Sequence, residues 1–292
     1  MPQLISIGEL IDRSWDQYRA RFSAFMTISV WALVIALLYI VAFSFYPLAS
    51  KLLTGEVLNN WEIFGMVLFA LTNIIVAPIL GFWVFLSLVR LARGVVAGGQ
   101  ADTKKAARDG WKFFLPSALV SILTVLVVIG GVAVCVAPGV ILGILSSYFS
   151  NSILAFLTTL VFIIGLLASA VIAIRWGVHY FFASYALLLE EKHGRTALTR
   201  SHHLIKGRFW SALLRMLVPK IVFMLVGALA LFIVMYLTNV ILSAVAGLNL
   251  DIYLRLATIT QSTLLILMTV FINPLLVIAD TLLYNNLVQT KK

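Results

Sequence analysis

Apolar positions run through this chain in long blocks, not in short alternating strands. Ser23–Tyr46, Ile63–Val89, Phe113–Ala137, Ile221–Ala246 and Leu256–Leu287 are each apolar almost throughout. Each has the roughly 20 residues that a helix needs to cross about 30 Å of hydrocarbon. A sixth block, Ile153 to Leu189, is interrupted only by Arg175 and His179. It is too long for one ordinary span and barely long enough for two. The first block, at 24 residues, exceeds the roughly 7 to 15 of a signal-peptide core, so it reads as a retained span.

Shorter amphipathic segments stand between the blocks. Ile7, Leu10, Ile11, Trp15, Tyr18 and Phe22 recur at helical spacing opposite Glu9, Asp12, Arg13, Asp16 and Arg19. Ser6-Ile7-Gly8-Glu9 has the Ser-x-x-Glu form of a capping box, in which hydroxyl and carboxylate satisfy open amides at a helix start. Segments 6–22, 102–114 and 196–210 are accordingly expected as helices lying at a membrane interface.

Composition sharpens the class. With 62% hydrophobic and 11% charged residues, a water-soluble fold is excluded. The 21 Lys and Arg exceed the 11 Asp and Glu by ten, an excess that in such a chain reflects topology and not nucleic-acid binding. Counting the sixth block as one crossing places 19 cations on one side of the membrane and 2, Lys51 and Arg255, on the other. The positive-inside rule puts the 19 in the cytoplasm. The expected fold is therefore all-α, a polytopic bundle of six transmembrane helices forming a single integral membrane domain over 1–292, with both termini cytoplasmic. The one cysteine, Cys135, allows neither an internal disulfide nor a cysteine metal cluster.

The chain also repeats itself. Arg13-Ser14 followed by Arg19-Ala20-Arg21-Phe22 recurs as Arg200-Ser201 followed by Lys206-Gly207-Arg208-Phe209 at the same spacing. A weaker middle copy runs from Asp102 through Lys104, Lys105 and Arg108 to Phe114. Pro78 precedes Arg90, and Pro274 precedes Asn286, by twelve residues in each case. These correspondences predict a threefold helix-plus-hairpin repeat with units near 1–97, 98–193 and 194–292.

Pro138-Gly139, Arg175-Trp176, Leu188-Leu189-Glu190-Glu191, Gly194, Ala197-Leu198, Arg200-Ser201, Gly207 and Phe209-Trp210 form a series, flanked by Ser6–Leu10 and by Thr281–Leu287 with its Leu-Leu-Tyr. The series resembles the membrane domain that accompanies bacterial glycerophosphoryl diester phosphodiesterases, together with its stand-alone relatives. That resemblance implies a bacterial inner-membrane protein without an established activity of its own. In the family the Pro-Gly and Arg-Trp elements usually sit close together, whereas 35 residues separate Gly139 from Arg175 here. The architecture of 138–175 is thus left open.

No catalytic residue, metal set or cofactor emerges. The soluble phosphodiesterase barrel of about 250 residues is absent, as are the His-Glu-x-x-His, Gly-x-Ser-x-Gly and phosphate-loop motifs. Polar residues within spans are costly and mark partners or wet cavities. They nominate Arg175, His179, Asp280, Asn73 and Asn273 as a buried polar pair or site, with Arg175 and Asp280 expected to form an ion pair that His179 can join, or else Arg175 to reach headgroups and Asp280 to bind Arg90 or solvent. Arg13, Arg19, Arg21, Lys104, Lys105, Arg108, Arg200, Lys206 and Arg208 are candidates for anionic headgroup contact, or simply fix topology. His202-His203 beside them reads either as phosphate-binding or as a solvated helix face. The function expected is a non-enzymatic scaffold or a role in envelope lipid homeostasis, with membrane lipids, another copy or a partner membrane protein as partners. The alternative is a small-molecule or lipid transporter with helices broken at Asn73/Pro78 and Asn273/Pro274.

Overall fold

The computed structural model describes residues 4–149, 151–247 and 249–291, and the backbone alone of residue 49. Lys292, counted above among the cytoplasmic cations, lies outside them. Among the described residues there are helices and no strand. In chain order they are α1 Ile7–Ala20, α2 Phe22–Ser29, α3 Leu33–Phe45, α4 Ala49–Thr54, α5 Asn60–Leu71, α6 Ala77–Val96, α7 Thr103–Lys112, α8 Phe114–Phe149, α9 Ser152–Tyr180, α10 Ala183–Glu190, α11 Arg195–Ile205, α12 Phe209–Ala246 and α13 Leu250–Gln289. Six segments among the described residues are long and apolar enough to cross a membrane: Phe22–Phe45, Asn60–Val96, Phe114–Phe149, Ser152–Glu190, Phe209–Ala246 and Leu250–Gln289. The chain is an integral membrane protein, and the block from Ile153 to Leu189 forms one of these six, bent at Phe181 and Phe182. Hydroxyls in the spans bond back onto the preceding turn, as Thr124 does to the Val120 carbonyl at 2.9 Å and Thr258 to that of Leu254 at 2.8 Å. This satisfies side chains that would be costly to leave open in lipid.

Two compact units divide the chain. One comprises 4–114 and 215–285, the other 115–214 and 286–291 within the described residues. These boundaries differ from the repeat boundaries expected above.

In the first unit, α1 is capped by Ser6, whose hydroxyl accepts from the Glu9 amide at 3.1 Å. Only half of the expected capping box forms, because the Glu9 carboxylate pairs with Arg13 one turn on. The reciprocal box occurs instead at Asn59, which accepts from the Glu62 amide at 2.9 Å while Glu62 accepts from that of Asn59 at 2.8 Å. Leu10, Ser14 and Tyr18 are the buried stripe of α1. Helix α7, capped by Asp102, lies against α6 through Trp83, which donates to the Ala107 carbonyl at 3.1 Å and stacks on Trp111 at 5.6 Å. The Arg90 guanidinium sits 3.9 Å above the Phe113 ring.

In the second unit, α8 and α9 return on one another through glycines. A Cβ on Gly165 would stand 2.6 Å from the Cys135 carbonyl oxygen, and one on Gly139 would stand 2.8 Å from the Phe162 Cα. Such small residues let backbones approach where no hydrophobic effect drives helices together. The expected end of the third span at Ala137 is therefore corrected. The helix continues through Pro138 to Phe149, and residues 140–174 lengthen the α8–α9 hairpin. At about 1.5 Å per residue, the 36 residues of α8 reach roughly 54 Å, well beyond a hydrocarbon core of about 30 Å.

Candidate functional site

The polar end of the second unit is built by four successive turns of chain. On α9, Val171, Arg175 and His179 recur every four residues and so share one helix face. The His179 ring is buried, and its Nδ1 lies 2.7 Å from the Arg175 carbonyl. A carbonyl only accepts, so Nδ1 carries the hydrogen and the neutral ring keeps Nε2 as an acceptor. The chain then passes through α10, turns at Glu191 and Gly194, both at positive φ, and enters α11. There Ser201, fully buried, donates to the His179 carbonyl at 2.6 Å. This bond satisfies one of the open carbonyls at the end of α9 and fixes α11 against it.

Register does the rest. His202, next to Ser201, stacks on His179 with ring centroids 4.8 Å apart and planes 29° from parallel. Gly207, at φ +84, turns the chain into α12, a conformation in which a Cβ would be strained. Phe209 then lies 5.6 Å from the His179 ring, nearly parallel to it at 20°. Val171, Ile174, Arg175, His179, Lys206 and Trp210 line the resulting cleft of about 610 Å³, along with His202, Gly207 and Phe209.

The cations around the cleft fall into two groups. Arg200 is held by the Glu190 carboxylate through three contacts of 3.0 to 3.1 Å. Arg208 donates to the Thr290 hydroxyl at 2.8 Å and to its carbonyl at 3.2 Å. Lys291 donates to the Lys206 carbonyl at 3.0 Å. These three tie the elements together. By contrast, neither the Arg175 guanidinium nor the Lys206 ammonium has an ion-pair partner among the described residues, and both are exposed. Burial lowers the His202 pKa, as do His179, Lys206, Lys291 and Arg175 around it. Burial and then the neighbouring Arg208, Lys206 and Arg200 hold that of Lys291 down. The cleft is a concentration of positive charge backed by an apolar wall, in which Val171, Ile174 and Trp210 are 65%, 59% and 72% exposed.

Other nominated residues sit elsewhere. Asp280, in the first unit, has a partner that sequence reasoning did not name: Lys220 on α12, 3.0 Å away. Arg175 belongs to the second unit, in the cleft described. Asn73 lies in a π-helical turn, Thr72–Val76, ahead of Pro78. It accepts from the Tyr39 hydroxyl at 2.8 Å and donates to the Phe69 carbonyl at 2.9 Å. Asn273 is exposed within α13, which runs unbroken through Pro274. Arg13 pairs with Glu9, while Arg19, Arg21, Lys104, Lys105 and Arg108 are exposed on or beside α1 and α7. His203 is exposed, and the amphipathic segment expected over 196–210 ends as a helix at Ile205. Trp210 and the stacking role of His202 were not foreseen. Their signal was the Gly207 break, which separates the helix face that carries His202 from the start of the next span. Among the described residues no group of three His, Cys, Asp or Glu is placed to hold a metal ion.

No family model, curated protein or solved structure matches this chain.

Proposed function

We propose that the protein is a non-enzymatic protein of the bacterial inner membrane, with both termini cytoplasmic, that binds an anionic phospholipid in the cleft between α9, α11 and the start of α12. The observation that carries this reading is the pairing of two unpartnered cations, Arg175 and Lys206, with an exposed apolar wall of Val171, Ile174 and Trp210. A phosphate needs the first and acyl chains need the second. Juxtamembrane cations contribute about 1 kcal/mol each beside anionic lipid, and the tryptophan is a residue suited to the headgroup level. The 19 to 2 distribution of cations supports placing this end of the spans in the cytoplasm. A short helix, α1, α7 or α11, stands ahead of each pair of spans, an order that supports the threefold repeat and an interfacial setting for these helices. The resemblance to the phosphodiesterase-associated membrane domain points to the same lipid context. The transport reading draws less support, since α13 is continuous at Asn273 and Pro274 and the Asn73 amide is bonded within the protein.

Native mass spectrometry of protein extracted in mild detergent tests the proposal. The parent chain is expected to retain an anionic phospholipid, R175Q/K206Q to lose it, and K104Q/K105Q to keep it. Equal retention by all three overturns the assignment.

A further inference from the structure

The cleft contains more than a monoanion requires. A phosphodiester headgroup carries one negative charge, which either Arg175 or Lys206 alone would match. Behind them stands the stacked pair His179 and His202, and the buried Nδ1 of His202 has no hydrogen-bond partner among the described residues. His179 Nδ1 is spent on the Arg175 carbonyl, which leaves its Nε2 for a ligand. Two imidazole nitrogens, one of them buried, are therefore without a hydrogen-bond partner beside two cations without an ion-pair partner among the described residues.

The charged and titratable groups facing the pair come from every element around it. Arg175 and Tyr180 stand on α9, the Tyr180 ring 6.1 Å from that of His202. Arg200 and Glu190 form a closed ion pair between α11 and α10, with the exposed His203 also on α11. Lys206 and Arg208 come from the turn into α12, and Lys291 from the end of α13. Glu190, already engaged by Arg200 and by Lys192 at 3.3 Å, is the one carboxylate in this set. Without a ligand, burial and then the positive neighbours lower the His202 pKa. A dianion reverses that field.

We infer that the cleft selects a phosphomonoester, a lipid with a terminal phosphate in place of a phosphodiester headgroup, and that His179 and His202 take up a proton from solvent as it binds. The inference rests on the lipid-binding reading above and deepens it. The second charge of a phosphomonoester, which ionises near pH 6, is the charge that the second fixed cation matches, and its further unesterified oxygen is an acceptor for the imidazole pair. An imidazolium donates to phosphate oxygen where the neutral ring at His179 offers only an acceptor. No covalent bond changes; one proton moves from water to the imidazole pair.

Isothermal titration of the full chain in neutral detergent, stripped of lipid, with dioctanoyl phosphatidic acid, dioctanoyl phosphatidylglycerol and glycerol 3-phosphate tests it. At pH 6.5 the phosphatidic acid is expected to bind about tenfold more tightly than the phosphatidylglycerol. That advantage should shrink several-fold at pH 8.5, where bringing a proton to the pair is harder. Repeating the titration in buffers of different ionisation heat should show about one proton taken up with phosphatidic acid and none with phosphatidylglycerol. H179Q/H202Q should take up no proton and lose the pH dependence of the phosphatidic acid advantage, and H202Q alone, on a partly exposed residue, serves where the double variant does not fold. Equal, pH-independent binding of the two lipids overturns the selectivity and leaves the lipid site standing. Binding of neither overturns the lipid site itself. Glycerol 3-phosphate binding as tightly as phosphatidic acid shows a soluble phosphomonoester site and overturns the lipid source.

Discussion

Lys220 holds Asp280 at 3.0 Å, with side chains 20% and 8% exposed. The lysine directly follows Pro219 on α12, and the aspartate lies six residues after Pro274 on α13. An ion pair this enclosed adds little net stability over an apolar pair, but removing one member takes from the other its opposite charge at 3.0 Å, at a cost of about 3 kcal/mol. K220M and D280L should each lower the unfolding temperature in detergent, and K220M/D280L should regain most of the loss. Thermal unfolding of the four proteins completes the cycle. Strictly additive losses would show that the groups are not coupled.

The glycines of the α8–α9 hairpin offer a contrast within one element. Gly130 has open space where a Cβ would go, whereas Gly165 has the Cys135 carbonyl oxygen at 2.6 Å. G130A is expected to be neutral or to stabilise by about 0.5 kcal/mol, through the lower conformational cost of alanine in a helix. G165A should destabilise by about 1 to 3 kcal/mol, because backbone cannot give way as a side chain can. Denaturation of both variants in mixed micelles measures the difference, and equal effects would contradict the close approach.

Much of this was legible in the sequence. The run lengths and the cation distribution pointed to six spans, and the periodicity at 6–22 marked α1. The continuation of α8 past Pro138 was not, because a proline inside an apolar run reads as a stop. Yet its ring costs only the bond to the Val134 carbonyl, and Gly139 lets α9 pack alongside. Lys220 was counted with the loop cations because it stands at the edge of its apolar block; its meeting with Asp280 joins positions 60 residues apart and follows from tertiary packing alone. The cleft was legible as two fragments, Arg175 with His179 and Lys206 with Arg208. What unites them is the bond from Ser201 to the His179 carbonyl, and no periodicity announces it.

Arg255 ties the start of α13 to the end of α3. Its guanidinium donates to the carbonyls of Ser44 at 2.6 Å and Tyr46 at 3.0 Å, which lie where a helix leaves acceptors open. R255A should cost about 1.5 to 3 kcal/mol, the range for hydrogen bonds from a charged donor. R255K keeps the charge but not the fork, and is expected to recover less than half of that in the same unfolding assay. Full recovery by lysine would assign the effect to charge alone.

Topology is open to a direct test with single cysteines in a C135S background. Cysteines at positions 104 and 203, both exposed, should react with a membrane-impermeant thiol reagent only after the cytoplasmic face is opened. Cysteines at 56, exposed on the loop beside Lys51, and at 251, exposed in the first turn of α13 near Arg255, should react in intact spheroplasts. The reverse pattern would refute the orientation that the cation distribution supports.

The histidine pair gives the lipid-free protein a pH dependence of definite sign. Burial, and then the neighbouring His179, Lys206, Lys291 and Arg175, lower the His202 pKa in the folded chain below its ordinary value of 6.5. Below that value the unfolded chain binds more protons at this site than the folded one does. Stability therefore rises with pH through the window, and the contribution is lost as the pH falls beneath 6.5. Lipid-stripped protein is expected to unfold at progressively lower temperature from pH 7.5 to 5.5, with H202Q showing a shallower decline and converging with the parent at pH 7.5. Saturating phosphatidic acid should flatten or invert the parent's slope, because the bound dianion stabilises the protonated pair. An H202Q profile parallel to the parent's over the whole range would place the acid sensitivity at some other group.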